Sequence, residues 1–209
     1  MKRKAIVAVV ALVLVLCCAM GGTLAWLVDS TTEVKNTFTY GDINISLWEH
    51  ELNKDGLTLS TDVFTGKEQT GFKMIPGNKI EKDPTVTVKA DSEASWLFVK
   101  IVESDNFNDF MTYGVASGWT QLTVDAEGNA ITDLIYWREV DASNEQQAFE
   151  VLADNKVSVR GTVTKDNLNA LDANGTSNYP TLTFTAYAVQ RDTNITTAAQ
   201  AWNIAMGNN

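Results

Sequence analysis

His50 is the only histidine in a chain of 209 residues, and it opens the run His50-Glu51-Leu52-Asn53-Lys54. The run begins like the zinc-protease pattern H-E-x-x-H, in which two imidazoles on one helix face hold the metal and the glutamate is the base. Lys54 stands where the second imidazole belongs. A zinc site would then have to be built mainly from carboxylates, which is unusual. A Ser-His-Asp or Cys-His nucleophile would also depend on His50, and the chain contains no G-x-S-x-G turn. An exposed histidine at the end of a strand is the plainer reading. No glycine loop that could cradle a phosphate is present. Hard oxygen ligands for calcium cluster in Asp105-Asn106-Phe107-Asn108-Asp109 and in Asp172-Ala173-Asn174-Gly175-Thr176. Neither has EF-hand spacing with its terminal glutamate, and Asx-rich loops are normally turns. The residues therefore name no catalytic group, no metal site and no cofactor, with calcium the one ion left in view. The Asn-x-Ser/Thr triplets at Asn44, Asn174 and Asn194 matter only in a glycosylating secretory pathway.

The elements that would position any site have a period of two. Ile43, Ile45 and Leu47 alternate with Asp42, Asn44 and Ser46, and Val86 and Val88 alternate with Thr85, Thr87 and Lys89. Leu182, Phe184, Ala186 and Ala188 alternate with Thr181, Thr183, Thr185 and Tyr187. The run from Trp96 to Val102 is apolar on both faces apart from Lys100, as suits a central strand. Turn chemistry separates these runs at Pro76-Gly77-Asn78, Ala90-Asp91-Ser92-Glu93, Glu127-Gly128-Asn129 and Asp172-Ala173-Asn174-Gly175. Glu127-Gly128-Asn129 joins residues 119–124 to 131–140 and reads as a hairpin. Helical patterns are confined to residues 165–171 and 197–206, the latter with Ala198, Ala201, Trp202 and Ala205 on one face. Many short strands and few helices predict an all-β fold, an antiparallel β-sandwich of jelly-roll or immunoglobulin-like type with a short C-terminal helix. It forms one domain over residues 41–209.

Ahead of that domain, Lys2-Arg3-Lys4 precede 24 uncharged residues from Ala5 to Val28. This is the layout of a secretory signal, with Gly21-Gly22-Thr23-Leu24-Ala25 supplying the small residues of the cleavage site. Cutting between Ala25 and Trp26 makes residues 1–25 the signal peptide. A span of 24 uncharged residues is also long enough for an uncleaved anchor, although Gly21, Gly22 and Thr23 interrupt its apolar run. A lipoprotein reading at Cys17 or Cys18 is weaker, because the bulky Leu16 precedes the first. Both cysteines leave with the signal, so no disulfide is possible in the mature chain, whose length can bury a core without one. Its charge is also more acidic, with 13 of the 16 Lys and Arg remaining against 26 Asp and Glu. Such a surface repels nucleic acid and anionic lipid alike. Contact with a membrane is expected only through the signal segment before cleavage.

The stretch Gly21-Gly22-Thr23-Leu24-Ala25-Trp26-Leu27-Val28-Asp29-Ser30, followed by Asn36-Thr37-Phe38-Thr39-Tyr40-Gly41-Asp42-Ile43-Asn44-Ile45, resembles the opening of the TasA/camelysin family of Gram-positive bacteria. So does Ile75-Pro76-Gly77-Asn78-Lys79-Ile80-Glu81-Lys82-Asp83 with the strand after it, so the resemblance covers roughly residues 1–101. It implies a signal cut by the dedicated peptidase SipW and a secreted jelly-roll protein of the cell surface or biofilm matrix, in some members polymerised into fibres. It also implies that residues 26–40 act as a donor strand completing the next subunit, with Trp26, Leu27 and Val28 as apolar anchors and Val34 and Phe38 extending them. Partners would be the SipW-type peptidase and further copies of this chain or a related fibre subunit. The alternative for Trp26, Leu27 and Val28 is ordinary core of their own domain. The protease activity of camelysin finds no support in a chain with one histidine. A monomeric adhesin is the second functional reading, with a carbohydrate platform made by the exposed members of Trp48, Trp96, Trp119 and Trp137, although tryptophans on strands are mostly core. An enzyme comes last. No L-P-x-T-G signal or apolar tail is seen at the C-terminus, so sortase anchoring is not expected.

Overall fold

A computed structural model of the protein describes residues 28–30, 43–173 and 178–207. The first half of these carries β1 (Val28–Ser30), β2 (Ile45–Trp48), β3 (His50–Leu52), β4 (Leu59–Val63), β5 (Lys79–Glu81), β6 (Thr85–Val88) and β7 (Ser95–Glu103). A single helical turn α1 (Phe107–Phe110) follows, then β8 (Met111–Val115), β9 (Thr120–Gln121), β10 (Leu134–Val140), β11 (Gln147–Glu150) and β12 (Leu152–Val159). The chain ends with α2 (Lys165–Ala173), β13 (Leu182–Gln190) and α3 (Ala198–Ala205). Every ladder between these strands is antiparallel. The fold is the expected all-β, sandwich-like one with a short C-terminal helix.

One layer is a five-stranded sheet in the order β1-β13-β7-β10-β9. Opposite lie two three-stranded sheets, β11-β6-β2 and β5-β12-β8. Only Lys82, Asp83 and Pro84 separate β5 from β6, and only Val151 separates β11 from β12. Across that break the Val151 N–H donates to the Pro84 carbonyl at 2.9 Å and the Lys82 N–H to the Asn155 carbonyl at 2.8 Å. The two small sheets are thus one bent layer. The bend has a local cause: Asp154 and Asn155 adopt φ of 55° and 51°, and the pairing of β12 with β8 shifts between Leu152 and Val157. Between those pairs β12 advances five residues while β8 advances two, and the two left-handed residues within this bulge turn the strand.

Leu97, Val99 and Ile101 of β7 meet Ile45, Val86 and Val88 of the second layer, with Val140, Ala186 and Ala188 beside them. Each side chain the size of Leu97 or Ile101 contributes about 1.5–3 kcal/mol by leaving water. The other face of β7 carries Trp96 and Phe98, which pack under α3 with Ile135, Val189 and Trp202. A strand apolar on both faces therefore lies where its pattern demands, between two cores. Sequence alternation was a poorer guide at β6, where Thr85 and Thr87 are buried along with the valines. Trp48 covers them, and its indole N–H donates to the Thr87 hydroxyl at 2.9 Å.

Three of the expected turns form, while the fourth, Asp172-Ala173-Asn174-Gly175, begins inside α2 and runs outside the described residues. The Asn78 N–H reaches back to the Ile75 carbonyl at 2.9 Å, with Gly77 at φ 80°, a conformation open to glycine and costly for a side chain. Asp125 organises the hairpin between β9 and β10, accepting the Asn129 N–H on its carboxylate at 2.7 Å. No helix among the described residues is long and apolar enough to cross a membrane.

Candidate assembly edge

β13 borders the five-stranded sheet on the side where β1 is added. Val28 pairs with Val189, Asp29 with Ala188 and Ser30 with Tyr187, while β7 holds the other edge of β13 along its whole length. The described part of β1 thus covers three of the nine residues of β13. A sheet edge offers backbone N–H and C=O groups to any extended segment that reaches it.

The outer wall of this edge is α3, which packs against β1, β13 and β7. Its Trp202 ring stands edge-on to Tyr187 at 5.2 Å and lies tilted on Phe98 at 5.3 Å. Tyr187 is the residue opposite Ser30, so the helix is anchored through the same strand positions that receive β1. The helix starts where it does because Thr197 caps it. Its hydroxyl accepts the Gln200 N–H at 3.3 Å, and the Gln200 side chain accepts the Thr197 N–H at 3.2 Å. Ala198, Ala201 and Trp202 are buried, as their spacing predicts.

Of the proposed donor residues, Val28 begins β1, paired with its own chain. Trp26, Leu27, Val34 and Phe38 lie outside the described residues, as do Ala25 and the rest of the signal and its cleavage site. The cis pairing of residues 28–30 is the arrangement in which this segment belongs to its own sandwich. A donor from a neighbouring subunit would need the same ladder positions.

His50 is not an exposed strand end. It is half-buried on β3, its Nδ1 lies 2.6 Å from Asp83 Oδ2, and its backbone N–H donates to Asp83 Oδ1 at 3.0 Å. The ring stands edge-on to Trp48 at 5.0 Å. The pairing of Trp48 with Thr85 brings the two segments together, and a carboxylate as enclosed as Asp83 requires partners. Lys54 lies beyond, in an exposed turn. On a strand, residues four apart stand about 13 Å apart and cannot share one metal as on a helix.

The first Asx-rich stretch is tied up locally: Asn106 accepts from Ser104 at 2.8 Å and donates to the Asn178 carbonyl at 2.7 Å, and Phe107 is core. In the second, Asp172 accepts the Tyr179 hydroxyl, while Asn174, Gly175 and Thr176 lie outside the described residues. Among the described residues no group of three or more His, Cys, Asp and Glu is placed to hold a metal ion. The tryptophans do not form an exposed platform. Trp96 is buried and Trp48, Trp119 and Trp137 are half-buried, with the indole N–H of Trp119 donating to the Glu150 carbonyl at 2.8 Å.

The class defined by this geometry is an antiparallel β-sandwich with its N-terminal strand on an edge of its own sheet, under a C-terminal helix. Compared with protein-family models, with curated proteins and with solved structures, the chain has no match.

Proposed function

We propose that this chain is a secreted subunit of a cell-surface or biofilm-matrix fibre that assembles by strand exchange at β13. The carrying observation is that the described residues of β1 add to an edge by three backbone pairings, with residues 31–42 between them and the sandwich in the chain. Twelve residues can extend over about 40 Å, enough to reach a neighbour. Leaving its own β13, the segment takes the same place on β13 of the next subunit, so the ladder lost is the ladder regained. Such a contact is head-to-tail and does not close on itself, and it propagates into a filament. Cleavage between Ala25 and Trp26 by a SipW-type peptidase frees the donor from the membrane and acts as the switch. The partner is another copy of the chain or a related subunit.

The test compares polypeptides spanning residues 26–209 and 41–209 by negative-stain electron microscopy and size-exclusion chromatography at equal concentration. Filaments from the longer and monomers from the shorter are expected. Monomers from both would turn the reading toward a solitary adhesin, and filaments from both would move assembly to another edge.

A further inference from the structure

On the side of the sandwich away from β13, a cleft of about 280 Å³ opens between β8 of one layer and β10 of the other. Leu134 and Tyr136 line it from β10, and Tyr113 and Val115 from β8. Its charge comes from β7. The inward row Leu97, Val99, Ile101 continues two residues on to Glu103, which puts a carboxylate at the end of an apolar row.

That carboxylate is held in place. Oε1 accepts the Tyr113 hydroxyl at 2.7 Å, and Oε2 accepts the Asn108 amide at 2.5 Å. Both donors are neutral, so they orient the group without cancelling its charge. The ion pairs among the described residues join His50 to Asp83, Lys82 to Glu49, Lys100 to Asp133, and Arg191 to Glu139 and Asp141. None involves Glu103. The surroundings register the negative charge. Burial first, and then Glu103, push the Tyr113 hydroxyl well above the usual tyrosine range, and the same two causes in the same order raise Tyr136.

A fixed anion flanked by two aromatic rings in a partly desolvated cleft favours a cation, through the carboxylate and through the ring faces. A single carboxylate is too few hard ligands for a calcium ion, which takes six to eight oxygens. An organic cation fits better, its alkyl stem lying along Val115 and Leu134. We propose that this cleft binds an alkylammonium or alkylguanidinium group, with Glu103 as counter-ion and Tyr113 and Tyr136 as aromatic walls.

The experiment titrates the purified full chain with n-butylammonium and with agmatine, following the tyrosine ring signals by NMR, with n-butanol as the uncharged control. Saturable shifts with both cations and none with butanol are expected. Glu103→Gln keeps the shape and an acceptor for Tyr113, and it should weaken cation binding roughly tenfold or more. A thermal melt near that of the parent would show the variant is folded. Tyr136→Leu, which removes one wall, should also weaken the cations. Equal binding of butanol and butylammonium would overturn the proposal, as would unchanged binding by folded Glu103→Gln or no saturable shift with either cation. Where agmatine also dissolves self-association, the natural cation is a side chain of a second copy. Where it binds without doing so, the ligand is a free amine.

Discussion

Among the described residues, Asp55 and Tyr113 are displaced in opposite directions from their ordinary ranges. Asp55 sits in the turn between β3 and β4, where its carboxylate accepts the Thr58 hydroxyl at 2.6 Å and the N–H groups of Leu57 and Thr58 at 2.8 and 3.0 Å. The Thr58 hydroxyl, followed by those backbone donors, lowers its pKa to about 2. A depressed carboxyl supports the fold above its unfolded pKa of about 4 and loses that support as pH falls toward the folded value. Protection of the Leu57 and Thr58 amides, relative to their intrinsic exchange rates, should therefore fall between pH 4 and 2, and Asp55→Asn should remove that acid step. Tyr113 behaves in the reverse sense. Its hydroxyl is raised by burial and by Glu103, so its contribution is complete below about pH 10 and is lost as pH climbs beyond. Tyr113→Phe should cost about 1–2 kcal/mol near neutrality, from the lost bond to Glu103, and flatten the alkaline limb of a denaturation series. An unchanged alkaline limb would place the titration elsewhere. At this scale the sequence spoke least. It isolated His50 as the sole imidazole but could not supply Asp83, which lies 33 positions away and arrives only through the β2–β6 ladder.

Strands and helices were more readable, and where they were not the reason is local. β7, β13 and α3 follow from their patterns, because a long element with one or two apolar faces states its period clearly. β12 does not. Its bulge at Asp154 and Asn155 breaks the alternation that would have announced it. The β3–β4 hairpin escaped for a different reason: its residues are mostly solvent-facing and carry no core pattern. The position of α3 was equally hidden, since an apolar helix face says that something is covered without saying what. Trp202→Ala tests the answer. Removing a side chain wedged between Phe98 and Tyr187 should cost about 3–5 kcal/mol in denaturant unfolding and expose the Tyr187 and Val189 amides to faster exchange. A loss below about 1 kcal/mol would mean that the helix is an ornament on the sheet and not the wall of its edge.

For the whole molecule, charge and connectivity bear together on the proposed assembly. The chain carries a net charge of −10, and the proposed cleavage after Ala25 would make it more acidic by removing Lys2, Arg3 and Lys4. Like-charged subunits approach one another more readily as the screening length falls from about 30 Å at 0.01 M salt to about 8 Å at 0.15 M. Light scattering from residues 26–209 should therefore rise faster with added salt. A rate that falls instead would reveal complementary charges at the junction. The pairing of Val28–Ser30 with its own β13 has a further effect on timing. A strand on a twelve-residue tether competes for that edge at an effective concentration in the millimolar range. On the proposed function, a free neighbour wins that contest only as its own concentration approaches the same range, so the filaments expected of residues 26–209 should appear in concentrated samples. On that reading, fibre growth would start where chains are crowded together, or where an edge already open gives the first strand nothing to displace.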